Sequence, residues 1–167
     1  MYENFLEELI YEYFEFKNFF VKRNIKLRKR TRGGYDREID ILALCPRNNH
    51  LYHIESSFAA DSWEQTILNF KNKKFDITQE EYANLIGLSA DKIKIFKVAI
   101  LLNVPKKNRK QKKEDFKIKT GAKLLSIGEF MRIVKHSIKF REPLKKAVPE
   151  KYPLLRTIQF LLFSEKL

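Results

Sequence analysis

The sequence predicts an α/β domain, a small mixed β-sheet flanked by helices with a helical C-terminal tail. Three observations predict it. The chain opens on an amphipathic helical stripe, three strand-like runs follow in quick succession, and helical stretches then alternate with two further strand runs. No internal repeat or break in composition divides the 167 residues, so one domain is expected over 1–167. Its core is expected at about 2–104, followed by a basic loop at 105–113 and a C-terminal strand and helices at 114–167.

From Tyr2 to about Phe20, Phe5, Leu6, Leu9, Ile10, Tyr13 and Phe14 recur at helical spacing, and the glutamates fall largely outside that stripe. The segment Val21–Arg37 holds eight Lys or Arg against one Asp, and Val21, Ile25 and Leu27 hint at a first strand. Gly33 and Gly34 supply a turn. "REIDILAL" is apolar on both faces beyond Asp40, as a covered central strand is. After the turn "PRNN", "LYHIESSF" alternates, placing His53, Glu55 and Ser57 on one face.

Asp61 or Ser62 then caps a helix in "SWEQTILNFKNKKF", and "TQEEYANLIGL" makes a further short helix. "KIKIFKVAILLNV" is a buried strand. "PKKNRKQKKED" reads as a charged loop, before a short strand "KLLSI" and a helix "GEFMRIVKHSI". Three prolines lead to a last helix, "LLRTIQFLLF".

Composition narrows the function. The chain is 44% hydrophobic, which suits a folded domain, and its net charge of +13 points to a polyanionic partner, foremost nucleic acid. The single Cys45 excludes an intramolecular disulfide framework and a cysteine-based zinc site, and reads as a small core hydrophobe. No signal peptide or apolar membrane span is evident, so a cytoplasmic location is expected.

Asp40 and Glu55 carry the chemistry. They lie fifteen positions apart across a tight hairpin, so both can sit side by side on neighbouring strands. Two apposed carboxylates repel, and one pKa rises unless a cation intervenes. Oxygen-only ligands select Mg²⁺ (or Mn²⁺), which completes its shell with water and substrate phosphate. A salt bridge from Asp40 to Arg37 is the plain alternative, but the pairing with Glu55 favours the metal. A third carboxylate can reach in from the first helix, although a solvated helix face accounts for any one glutamate there. His53 shares Glu55's face and is expected to be partly exposed; His50 and His136 have no partners at ligand spacing.

The element order, with "EIDILA" on the second strand and "HIESS" on the third, resembles the PD-(D/E)XK nuclease superfamily, closest to its restriction-endonuclease and Holliday-junction-resolvase-like branches. The resemblance spans roughly Tyr2 to Val104 and implies a restriction-endonuclease-like core. It implies that Asp40 and Glu55 bind Mg²⁺, that a first-helix glutamate joins them (Glu8, with Glu12 and Glu7 as rivals), and that Gln65 matches a glutamine common on the following helix.

The departure is Ser57, where the superfamily carries a lysine that positions the attacking water. Ser57 and Gln65 then orient the water, or a lysine arrives from Lys71, Lys73 or Lys74, or the site is inactive. Lys29, Arg30 and Arg32 are expected to contact phosphates. The expected activity is Mg²⁺-dependent endonucleolytic cleavage of duplex or branched DNA. Cutting both strands implies a homodimer or a larger partner subunit. The rivals are an inactive nuclease fold that binds DNA and a protein-binding subunit of a nucleic-acid machine.

Overall fold

The computed structural model describes residues 4–58, 61–102, 104–139, 143 and 145–165. A five-stranded mixed sheet has the order β1-β2-β3-β4-β5, and helices cover both faces. β1 (Phe20–Lys29), β2 (Tyr35–Cys45) and β3 (His50–Ser57) form an antiparallel meander. β4 (Lys94–Leu101) and β5 (Lys123–Ser126) continue it in parallel with β3.

α1 (Phe5–Phe16) ends well before Phe20; Asn18 at φ 62° turns the chain into β1. Its expected start at Tyr2 lies outside the described residues. Asn4 caps it, accepting the Leu6 N–H. α1 packs with α5 (Ile127–Ile138) and α6 (Pro153–Ser164) over Ile41, Ala43, Ile54 and Ile100, so one sheet face is a single apolar layer.

Buried Glu12 ties α1 to α6. Its carboxylate accepts the Leu154 and Leu155 N–H groups at 3.1 and 2.9 Å, capping a helix whose own start offers no side-chain acceptor. The Glu12 side chain is therefore committed to packing rather than to chemistry.

The opposite face is divided. α2 (Trp63–Asn69) and α4 (Arg109–Thr120) cover Ala99, Leu101 and Leu124, and α3 (Gln79–Ile86) covers Ile39, Leu42 and Leu51. Between α2 and α3 the chain makes a π-helical turn, Phe70–Lys74, closed by the Phe75 N–H on the Phe70 carbonyl at 2.8 Å.

Three expectations are corrected. The lysine-rich stretch is loop only as far as Asn108; Arg109 to Thr120 is helical, so there is no basic loop over 105–113. Lys, Arg, Gln and Glu are good helix formers, and burial of Phe116 and Thr120, one turn apart, is enough to seat the helix. The core also does not end at 104, because β5 and α5 complete the sheet and its apolar layer. Cys45 is half-buried, not fully in the core, and its thiol is in no disulfide. Among the described residues, no helix is long and apolar enough to cross a membrane.

Candidate active site

The β2–β3 ladder runs from Cys45 opposite His50 to Ile41 opposite Ile54. One residue further on, side chains replace the backbone pairing. The Asp40 N–H donates to Glu55 Oε1 at 3.1 Å, and the Ser56 N–H donates to Asp40 Oδ2 at 2.9 Å. The strands part around two carboxylates, and each carboxylate satisfies an amide that the parting would otherwise orphan.

Lys74, the last residue of the π-turn, enters this opening. Its ammonium donates to Glu55 Oε2 at 2.6 Å, to Asp40 Oδ2 at 3.2 Å and to the Ser56 carbonyl at 3.4 Å. Three oxygens thus converge on one cation. A π-turn inserts one residue into a helical turn, and such insertions recur at functional sites. Here it aims Lys74 at the carboxylates, with the ammonium also 5.6 Å from the centre of the Phe70 ring. Arg37 holds the turn from outside, donating to the Asn72 carbonyl at 3.1 Å and to Asp76 at 2.7 Å.

The electrostatics follow from burial. The Asp40 carboxyl is pushed up first by burial and then by the Glu55 charge, and Lys74 only partly offsets this. Burial also raises Glu55, against the pull of Lys74. For Lys74, burial works against the charged form, yet the two carboxylates outweigh it and its pKa rises. The set demands a cation.

Glu55 is fully buried, and His53 fixes its orientation. His53 Nε2 lies 2.6 Å from Glu55 Oε1, and His53 Nδ1 lies 2.6 Å from the Tyr82 hydroxyl. Burial, reinforced by Lys97, drives the His53 pKa down to about 3, so the ring is neutral. An ionised Glu55 requires the proton on Nε2. Nδ1 must then accept from the Tyr82 O–H, whose own pKa burial pushes up. The expectation of a partly exposed His53 is thereby overturned; the imidazole is sealed against Phe75 and Tyr82.

The other predicted residues separate into those the fold brings in and those it does not. From α1 it is Glu7 that reaches the site, accepting the Ser56 hydroxyl at 3.4 Å and the Asn4 amide at 2.5 Å. Burial and then the Asp40 charge raise its pKa. Glu8 faces away and pairs with Arg23. Gln65 is on exposed α2 surface, its amide bonded to Asn69 at 3.0 Å. Ser57 ends β3 opposite Leu101, and its carbonyl accepts the Leu102 N–H at 3.2 Å.

In the basic segment, Arg28 is held by Asp76 and Glu81, and Arg30 by Asp36. Lys29 and Arg32 are exposed at the β1–β2 turn and, among the described residues, have no ion-pair partner. Lys71 and Lys73, the rivals of Lys74, are exposed on the outside of the π-turn. Only the π-turn, invisible in the sequence, separates the three.

Could this site hold Mg²⁺? Among the described residues no group of three His, Cys, Asp or Glu is arranged for a metal. The donor set that does converge is two carboxylates and the Ser56 carbonyl, all hard oxygens, with Glu7 at the rim. That chemistry fits a hard divalent cation sharing its shell with water.

No family model matches the sequence, and no curated protein matches it. A solved structure of a protein of unknown function, AF1548, is similar with 14% identity over 93% of this chain and 78% of that one, at a TM-score of 0.49.

Proposed function

We propose that this protein is a Mg²⁺-dependent DNA endonuclease of the PD-(D/E)XK type, with its active-site lysine delivered by the π-turn after α2 instead of by β3. The observation that carries this reading is the Lys74 ammonium lodged between Asp40, Glu55 and the Ser56 carbonyl. Asp40, Glu55 and that carbonyl would hold Mg²⁺ or Mn²⁺. When bound, such a cation supplies Lewis-acid stabilisation of charge developing on the scissile phosphate. Lys74 takes the role the superfamily gives to the missing strand lysine, orienting the attacking water and offsetting negative charge. Glu7 replaces Glu8 as the assisting carboxylate, its pKa raised by burial and by the Asp40 charge. Lys29 and Arg32 bind backbone phosphates, and a second copy or a larger subunit completes a double-strand cut. A DNA substrate and a single cysteine accord with a cytoplasmic location.

The test is cleavage of supercoiled plasmid and of branched DNA with Mg²⁺, Mn²⁺ or EDTA. Metal-dependent cutting is expected for the wild type. It should be lost in Asp40→Ala and Glu55→Ala, and reduced about 10²-fold or more in Lys74→Met. Cutting that survives both carboxylate substitutions overturns the proposal.

A second reading is favoured by one feature. Lys74 already bridges Asp40 and Glu55 as a closed ion triad, as a relic site would. That reading, a non-catalytic DNA-binding domain, predicts steeply salt-dependent binding and no cutting on any substrate.

A further inference from the structure

At the β5 edge of the sheet, α1, α4, β5 and α5 border an open groove of about 710 Å³. Lys17, just past the end of α1, lines it with Lys117 of α4, Lys123 of β5 and Arg132 of α5. All four are exposed, and among the described residues none has an ion-pair partner. One of the groove's two carboxylates, Glu129, is already committed. Both its oxygens accept Lys113 Nζ at 2.5 Å, and it closes the capping box of α5 with Ser126. The groove therefore carries a net surplus of positive charge.

A second, smaller cavity of about 290 Å³ opens off it, sharing Tyr13, Lys17, Lys123 and Ile133. Its walls are Phe14, Phe19, Tyr52 and Phe130. An apolar, aromatic recess thus sits directly behind a row of cations.

We infer that this groove binds single-stranded nucleic acid, with phosphates on Lys17, Lys117, Lys123 and Arg132 and an unstacked base in the aromatic recess. Aromatic surfaces flanked by cations are how proteins hold single strands without reading sequence. A duplex keeps its bases stacked and cannot fill the recess. An acidic peptide matches the charge but leaves the recess empty. An anionic lipid fills the recess but brings one charge to four separated cations. Asp40, Glu55 and Lys74 line neither cavity, and the inference does not depend on phosphodiester cleavage.

The experiment is fluorescence anisotropy of a labelled oligothymidylate on the full chain in EDTA, so that a failure of the nuclease reading leaves it intact. Lys123→Glu/Arg132→Glu is compared with Arg47→Glu/Lys92→Glu, an equal charge change at exposed positions elsewhere. The groove pair should weaken binding at least about tenfold more than the control. It should also flatten the dependence of log affinity on log salt by about 0.7 per lost phosphate contact. An abasic strand of the same length should bind the wild type more weakly than the intact strand, and Ile133→Trp, which blocks the recess mouth, should bind both alike. Lys17→Gln/Lys117→Gln stands in if the reversal pair fails to fold, as read by its melting curve. Equal weakening by both charge-reversal pairs overturns the inference. So does an abasic strand that binds as well as the intact one, or polyglutamate that competes as well as the oligonucleotide, charge for charge.

Discussion

Replacing Lys74 with methionine keeps most of the side chain's volume and removes its charge from between two carboxylates. The ammonium lies 2.6 Å from Glu55 Oε2 and 3.2 Å from Asp40 Oδ2. Unit charges about 4 Å apart at an effective dielectric near 20 attract by about 4 kcal/mol, which the burial of all three groups largely offsets. Stranding the partners of a buried pair costs roughly 3–5 kcal/mol. Lys74 is 29% exposed and Asp40 17%, so the lower end applies, about 3 kcal/mol. For a chain of this size that is a fall of roughly 6–12 °C in Tm, measured by circular dichroism at neutral pH in EDTA.

Two treatments should reverse the loss. Excess Mg²⁺ fills the vacated charge and restores about 2.7 kcal/mol at a hundredfold excess over its Kd, more than it adds to the wild type, where the ammonium competes. Acid does the same by another route. A carboxyl whose folded pKa is raised favours the folded state below that pKa and disfavours it as pH rises through it, so Lys74→Met should be relatively more stable toward pH 5 than at neutrality. A variant that melts with the wild type, indifferent to metal and pH, would refute the triad.

Four further outcomes are expected. His53→Gln should flatten the acid limb of stability: a histidine whose folded pKa is about 3 contributes stability present above pH 6.5 and lost as pH falls from there toward 3, read as Tm against pH. Glu12→Ala should cost about 2–3 kcal/mol in urea unfolding by leaving one buried and one half-buried amide at the start of α6 without acceptors. Glu129→Gln should remove a loss of stability that the wild type shows as pH falls below 4 toward about 2. Against the effect of burial, Lys113 and Ser126 hold that carboxyl down. Glu7→Gln should lower metal-dependent cleavage while Glu8→Gln leaves it unchanged, in the plasmid assay.

The Asp40–Glu55 pair was legible in the sequence because strand alternation and a short hairpin leave few ways to arrange two in-facing acids. The succession of strands along the chain, and a cap for α2 at Asp61 or Ser62, were legible for similar local reasons, and it is Ser62 that accepts the Gln65 N–H. The lysine was not. Three lysines crowd the end of α2, and only a π-turn, which has no side-chain periodicity of its own, selects Lys74 over Lys71 and Lys73. Glu7 and Glu8 differ by 100° around a helix, so the choice between them depends on how α1 leans over β3. α4 was hidden for another reason. Its charged residues resemble a solvated loop, while its buried stripe amounts to one phenylalanine and one threonine.

The bond from Glu12 to the start of α6 spans 142 positions of sequence. During folding, α1 can form early from local contacts, but its carboxylate must wait for a segment 142 positions downstream before the two amides arrive. Until then, α1 carries an unmet acid on the side it must bury. Docking of α1 onto the sheet and arrival of α6 should therefore be a single late event, closing the domain like a clasp whose two halves lie far apart in the sequence.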